Sequence, residues 1–392
     1  MTTAVADRDA TFLASVVELA DAIARPNADD VDRNARFPVE TIDALREQRA
    51  LSAFVPTDLG GAGVSLRAIA LACFELGRRC GASGMVFAMH QIQVATIVRH
   101  LDAEGADSFF HEHLRAVSAQ QRLIASVTSE VGTGGDMARS VAALTPNGDG
   151  TSSFEKQAPT VSYGAYADDL LTTLRANPDA GPGDQVAALT RKDQHTLEQK
   201  GTWDPLGMRG TCSPGFTVRA TLAPEQVLSA PFATIMTQSM VPISHILWSH
   251  LWLGVATDAF DRARAFVRAA ARQKPGEPIP AALRLSHVMS DLSLLRAEVR
   301  GALDEFEGEE DRERMATMAF ALRFNNLKLS ASDQAPRVCQ GALGVTGIVG
   351  FKNDTPYSVG RHLRDTMSAC LMVANDRIHQ TNAGLLLIAK DV

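Results

Sequence analysis

LIASVTSEVGTGGD, residues 123–136, is the stretch on which the reading of this chain turns. Its first five residues, Leu123 to Val127, form an apolar run rich in β-formers, which predicts a short buried strand. The strand gives way to a loop with three glycines, Gly132, Gly134 and Gly135. A loop without side chains lets backbone N–H groups come close to an anionic ligand, and Thr128 and Ser129 add hydroxyls at its start. A second segment, FEKQAPTVS at Phe154 to Ser162, predicts a further strand with Thr160 exposed on it.

Working outward, β character continues to about residue 230. VAALT, DDLLTTLRA, VAALTRK, GFTVRATL and PEQVLSA read as strands joined by turns, with NPDAGPG at Asn177 to Gly183 as a surface hairpin loop. On both sides the period becomes helical. FPVETIDALREQRAL carries an apolar stripe through Ile42, Leu45 and Leu51, and is broken by Val55-Pro56 and Gly60-Gly61-Ala62-Gly63. LRAIALACFELGRRC, residues 66–80, is amphipathic, and Met89-His90 opens an apolar helix to His100. Beyond Pro242 the spacing predicts helices over 245–271, 283–306, 315–338 and 361–389. Helices, a small β region and a helical bundle follow one another, a mostly α member of the α+β class. The boundaries fall at 1–122, 123–232 and 233–392.

Composition narrows the function. With 392 residues, 45% of them hydrophobic, the chain can bury a core for two or three domains. A net charge of −7 and the lack of a basic stripe argue against nucleic-acid binding. The N-terminal stretch has acidic residues and no long apolar run, so no signal peptide is expected. Val241 to Ala256 is interrupted by His245 and His250 and is short for a membrane span. Five cysteines with no CxxC spacing indicate neither a disulfide framework nor a zinc site, and a reducing cytoplasm fits them. Neither these cysteines nor the scattered histidines suggest a metal site.

SEVGTGGD resembles the TEPxxGSD signature of the acyl-CoA dehydrogenase family, and Lys156 to Ser162 is similar to that family's KxWITN segment. The block through GGAGVSL is similar to the first helices of these flavoproteins. The resemblance implies an N-terminal helical domain, a middle β-barrel-like domain, a C-terminal four-helix bundle and FAD as cofactor. It places Ser129 and Thr160 beside the isoalloxazine, with Val127, Thr128, Gly134, Gly135 and Pro159 around them. Three positions depart from the family pattern: Ala158 and Pro159 replace its tryptophan and isoleucine, and Gly135 replaces a serine whose hydroxyl contacts the pyrophosphate. WDPLGMRGTCS, residues 203–213, resembles a family turn whose arginine, here Arg209, braces the strands.

The family sets the ADP portion of FAD partly against a neighbouring subunit. Arg272 matches the arginine used there, and a guanidinium fork suits a pyrophosphate. Gln340, Gly344 and Gly347 in QGALGVTGIVGF match the glycine-rich turn, although such glycines also serve as helix C-caps. A homodimer or homotetramer follows from the resemblance. His90 falls where the helical domain approaches the active site, as a substrate contact or a satisfied core histidine. His245 stands near a family arginine that holds the substrate's nucleotide end, which allows a thioester carried on a protein instead of CoA.

The family's chemistry removes an α-proton with a carboxylate and passes a β-hydride to the flavin. Its glutamate lies eight residues after the aspartate of Arg364-Asp365, where this chain has Val373. The alternative position, at the start of the long middle helix, corresponds to Ser244. Asp376, three residues past Val373 on one helical face, is the nearest substitute base, or else a surface charge paired with Arg377. The resemblance implies dehydrogenation of an acyl thioester with an electron-transfer flavoprotein as acceptor. A flavin monooxygenase of the same fold and a non-catalytic flavin-binding scaffold are the alternatives.

Overall fold

The computed structural model describes residues 3–273 and 275–389. Helices α1 Thr3–Leu19, α2 Arg25–Arg33, α3 Val39–Glu47, α4 Leu66–Gly77, α5 Gly81–His100 and α6 Phe109–Gln120 come first. Ser65 caps α4 by accepting the Ala68 N–H, the usual role of a serine before a helix. α5 begins at Gly81, earlier than its apolar period shows, and is buried around most of its circumference.

The strands β1 Ile124–Val127, β2 Thr145–Pro146, β3 Ser152–Ala158, β4 Asp169–Arg175, β5 Gln185–Arg191, β6 His195–Lys200 and β7 Gly215–Leu222 form two sheets, ordered β1-β4-β5 and β2-β3-β7-β6. β1 runs parallel to β4 with Ile124 opposite Asp169, and the other pairs are antiparallel. In β3, Phe154, Lys156 and Ala158 point inward and Glu155 and Gln157 outward, the two-residue period of a half-buried strand. The inward Lys156 donates from Nζ to the Thr173 carbonyl at 2.6 Å and lies 3.5 Å from Glu130 Oε2. Glu130 in turn accepts the Val141 and Ala142 N–H groups, so this pair ties the glycine loop to both sheets. Two expected strands are mostly not strands: only Thr145 of VAALT lies in one, and PEQVLSA contains a helical turn at Pro224–Gln226.

The last block contains α7 Phe232–Ile235, α8 Val241–Gln273, α9 Pro280–Gly308, α10 Arg312–Met315, α11 Met318–Thr346, α12 Ile348–Phe351, α13 Gly360–Met367 and α14 Asn375–Leu386. α8, α9 and α11 pack on one another, and α13 and α14 complete the bundle against α11. α8 also packs on α5, and on α4 at backbone range. A Cβ on Gly254 would lie 2.2 Å from the Phe74 carbonyl oxygen, and one on Gly77 2.6 Å from that of Leu251. No helix among the described residues is long and apolar enough to cross a membrane.

Two helical expectations are corrected. α11 does not stop near Val338; it runs through Pro336 to Thr346, so Gln340 and Gly344 lie on helix and only Gly347, at φ +59°, makes the turn. The helix expected over 361–389 is two helices, broken at 368–374, where Val373 and Ala374 have φ of +51° and +27°. No glycine or proline marks that break. Asn375 is held from outside, by Lys328 Nζ at 2.5 Å and by Ser332, and a helix end anchored in this way dictates the turn before it.

Candidate active site

A cavity of about 750 Å³ opens between the β region and the helices, within the size range of cofactor and small-molecule sites. Its sheet wall is the loop after β1, with Thr128, Ser129, Thr133 and Gly135, and the loop after β3, with Pro159, Thr160 and Ser162. Ser129 Oγ donates to the Thr160 carbonyl at 2.8 Å, which joins the two loops. β1 is fixed beneath them by the Tyr163 hydroxyl, which donates to the Ile124 carbonyl at 2.9 Å. Trp203 lines the third side and anchors its indole N–H on the Arg209 carbonyl. Arg209 ties this turn to the end of α2 through the Asp32 carbonyl.

The helical wall comes from two periodic faces. Met85, Met89, Ile92 and Gln93 face the cavity from α5, and Val241, Ser244, His245 and Trp248 from α8, each at the spacing of one helix side. Met367 at the end of α13, with Ser368 and Cys370 to Ala374 from the break before α14, close the remaining side. Seven of the chain's twelve methionines line the cavity, giving a polarisable surface that adapts to flat apolar ligands.

Polar groups in this wall are few. His245 is buried, and its Nδ1–H donates to the Phe324 carbonyl at 3.0 Å. A carbonyl can only accept, so Nε2 carries the lone pair. Burial pushes the imidazolium pKa down to about 3, so the ring is neutral at physiological pH. Gln93 uses its amide N–H on the Met89 carbonyl, and its Oε1 is buried without a partner, as is the Trp248 indole N–H. Asp136 is the one carboxylate in the lining, and its Oδ1 accepts the Ala138 N–H at 3.0 Å. Arg364, at the rim, pairs with Asp32 and donates to the Leu206 carbonyl. Asp365 lies behind the wall, where it accepts the Met208 N–H at 2.7 Å and burial raises its pKa to about 6.

Thr128, Ser129, Gly135, Pro159, Thr160 and His245 thus share one cavity, and both base positions, Val373 and Ser244, also face it. Val127 is a core residue of β1, and Gly134 lies under the Arg377 side chain. Asp376 is displaced from the proposed role of base. It is exposed in the first turn of α14, outside the lining, because the helix that was to carry it past Val373 is broken. Arg377 does not pair with it but reaches the glycine loop. His90 is also outside the lining. Its Nε2–H donates to the Leu51 carbonyl and its Nδ1 accepts the Ile124 N–H, so the ring bridges the start of β1 as a structural residue. It lies one step round α5 from the face that carries Met89 and Gln93.

Arg272, Gln340, Gly344 and Gly347 are exposed and do not join the cavity of their own chain. From His245 to Arg272 the long helix climbs about 40 Å at 1.5 Å per residue. Contacts of Val288 with Gly341 and of Arg284 with the Gly344 carbonyl put the end of α11 at that far end too. The sequence reading missed Gln93, Trp248 and Arg377. Methionines spaced by four residues in α5 were the available signal for the first of these.

A profile described as the acyl-CoA dehydrogenase N-terminal domain matches residues 7–114. The probable acyl-CoA dehydrogenase YngJ of Bacillus subtilis is 23% identical over 87% of each chain. Among solved structures, the FMN-bound dibenzothiophene monooxygenase TdsC of Paenibacillus is 21% identical, covering 96% of this chain and 97% of its own, with a TM-score of 0.82. Butyryl-CoA dehydrogenase of Megasphaera elsdenii is 19% identical over 99% of each chain, with a TM-score of 0.80. The acyl-CoA dehydrogenase N-terminal domain is thus matched at residues 7–114, and over nearly the whole chain the fold is the one that butyryl-CoA dehydrogenase and the FMN-bound monooxygenase share.

Proposed function

We propose that this protein is a flavin-dependent monooxygenase acting on a neutral, largely apolar substrate. The observation that carries the reading is the cavity wall: no carboxylate stands at Val373 or Ser244, and Asp376 lies outside. Without a base of raised pKa, α-proton removal from a thioester has no acceptor of the right strength. The residues present fit a flavin. Two hydroxyl-bearing loops meet at Ser129 and Thr160, beside backbone opened by glycines at 132, 134 and 135, all with positive φ.

A reduced flavin bound there would supply two electrons and two protons, so that substrate, O₂ and reduced flavin give the substrate with one oxygen atom added, oxidised flavin and water. The chain's own residues do the rest. Ser129, Thr160 and Thr128 orient the ring's polar edge. The methionines and Trp248 exclude water, which protects reactive oxygen species from wasteful decay. His245 Nε2 accepts a hydrogen bond from a substrate N–H or O–H, and Gln93 Oε1 offers a second acceptor. The dibenzothiophene monooxygenase whose fold matches is consistent with such a cavity, and FMN is then a candidate cofactor beside FAD.

Dehydrogenation of an acyl-CoA or carrier-bound thioester, with an electron-transfer flavoprotein as acceptor, is the second reading. It is favoured by the length over which the acyl-CoA dehydrogenase of Bacillus aligns. Under either reading the exposed Arg272 and the far end of α11 serve a flavin of a neighbouring subunit, which calls for a homodimer or homotetramer. We place the protein in the cytoplasm on its five unpaired cysteines. The test is aerobic turnover with chemically reduced FMN and, as probes, dibenzothiophene and indole. Incorporation of isotopically labelled O₂ into product is expected. Absence of oxygenation with either probe, together with anaerobic flavin reduction by butyryl-CoA, sinks the monooxygenase reading.

A further inference from the structure

Gly135 removes a hydroxyl from the place where the family contacts the flavin's phosphate, and a side chain from elsewhere in the chain occupies the space beside it. Arg377, in the first turn of α14, reaches across the cavity's seam to the glycine loop. Its Nε donates to the Gly134 carbonyl and its Nη2 to the Thr133 carbonyl. A Cβ on Gly134 would lie 2.7 Å from Nη2, and one on Gly135 3.6 Å from Nε. Glycine at 134 therefore makes room for the guanidinium, whereas a Cβ at 135 would only touch it. Thr133 and Gly135 on that loop, and Cys370 to Ala374 just before α14, line the cavity, while Arg377 itself stands outside the lining, bonded to the loop between them.

A guanidinium has five N–H donors in a rigid plane. Two bonds to loop carbonyls fix that plane and leave three donors. Among the described residues no carboxylate pairs with Arg377; Asp136 on the same loop turns its Oδ1 to the Ala138 N–H, and Asp376 is exposed. An oriented, half-buried cation beside loop amides, without an anionic partner, is suited to a phosphate.

We propose that Arg377 supplies the cationic half of a flavin-phosphate site, binding the phosphate of FMN or the pyrophosphate of FAD in place of the hydroxyl that Gly135 lacks. This rests on the flavin reading above. Ser129, Thr160 and Val373 would hold the ring, and the loop from Thr133 to Gly135 with Arg377 would hold the phosphate.

Equilibrium binding of oxidised FMN, FAD and riboflavin, read by flavin fluorescence, tests this on the full-length protein. Riboflavin has the ring and ribityl chain but no phosphate. The wild type is expected to bind FMN or FAD at least about tenfold tighter than riboflavin, the range of a charge-assisted hydrogen bond. Arg377→Met should weaken the phosphorylated flavin by roughly 10- to 100-fold and leave riboflavin affinity within about twofold, with Arg377→Lys recovering part of the loss. Loss confined to FMN names a mononucleotide phosphate, and loss confined to FAD a pyrophosphate; both support the site. Equal loss of riboflavin and phosphorylated flavins would reduce Arg377 to a brace for the loop and overturn the proposal, as would no change at all. If the wild type binds none of the three, the flavin reading itself fails. Thermal unfolding of Arg377→Met without flavin controls for folding.

Discussion

At single residues, the chain keeps the fold while changing the groups that do chemistry. Val373 and Ser244 face the cavity where a carboxylate would be needed, and their chemical type was legible directly from sequence. The role of His90 was not, because a histidine on an apolar helix reads alike whether it faces a ligand or a backbone carbonyl. Only the Leu51 and Ile124 contacts decide it. Gln93 and Trp248 each bury a polar atom without a partner, at a cost of about 1–3 kcal/mol apiece. Gln93→Leu should accordingly leave thermal stability unchanged or raise it by about 1 kcal/mol, while weakening an N–H-bearing probe such as indole; unfolding scans and binding titrations check both halves. Asp365 offers a pH test. Its folded pKa, about 6, lies above the ordinary 3.8, so the folded state holds a proton that the unfolded state has lost between those values. Its contribution therefore falls as pH rises from 4 to 6 and stays low above. Asp365→Asn keeps the acceptor for the Met208 N–H, and should raise stability at pH 7.5 by roughly 1–3 kcal/mol, with the gain vanishing near pH 4. A variant less stable than wild type at pH 7.5 would contradict that account.

Among the elements, β1 and its glycine loop were legible because a buried strand and a turn have strong local signatures, and α4 and α8 because their apolar positions repeat. β6, HTLEQK, was not: it is an exposed, charged edge whose pairing with β7 supplies its order. The break between α13 and α14 was equally hidden. Its sequence, SACLMVA, has no breaker, and the strained φ of Val373 is stabilised by tertiary bonds from Lys328 and Ser332 to Asn375. Placing Asp376 one turn past Val373 on a continuous helix failed for that reason. Lys328→Met should loosen the start of α14. Limited proteolysis followed by mass spectrometry should then show new cleavage within 368–376 and little elsewhere, whereas an unaltered pattern would mean that the turn holds itself.

Across the whole molecule, the same burial that makes the cavity dry makes the fold sensitive to acid. His90, His100, His113, His245, His250 and His362 are buried, and desolvation lowers each pKa from 6.5 to about 3–4. The unfolded chain takes up these protons first, so the stabilising effect of keeping the rings neutral is present above pH 6.5 and is lost as pH falls toward 4. Up to about six protons enter on unfolding, partly offset by the one that Asp365 holds. The urea midpoint should drop steeply from pH 6.5 to 5, and a flat profile would refute the buried, neutral state of these rings. Helices, sheets and bundle together present one gap to a flavin, walled by sulfur and indole, with no carboxylate at Val373 or Ser244 and with Asp136 turned to the Ala138 N–H. The most direct test is anaerobic mixing of the flavin-loaded protein with short-, medium- and long-chain acyl-CoA while the flavin's visible absorbance is followed. The account predicts that the oxidised spectrum persists with every thioester and that only externally reduced flavin is consumed when O₂ is admitted; rapid bleaching by any of the thioesters would contradict it.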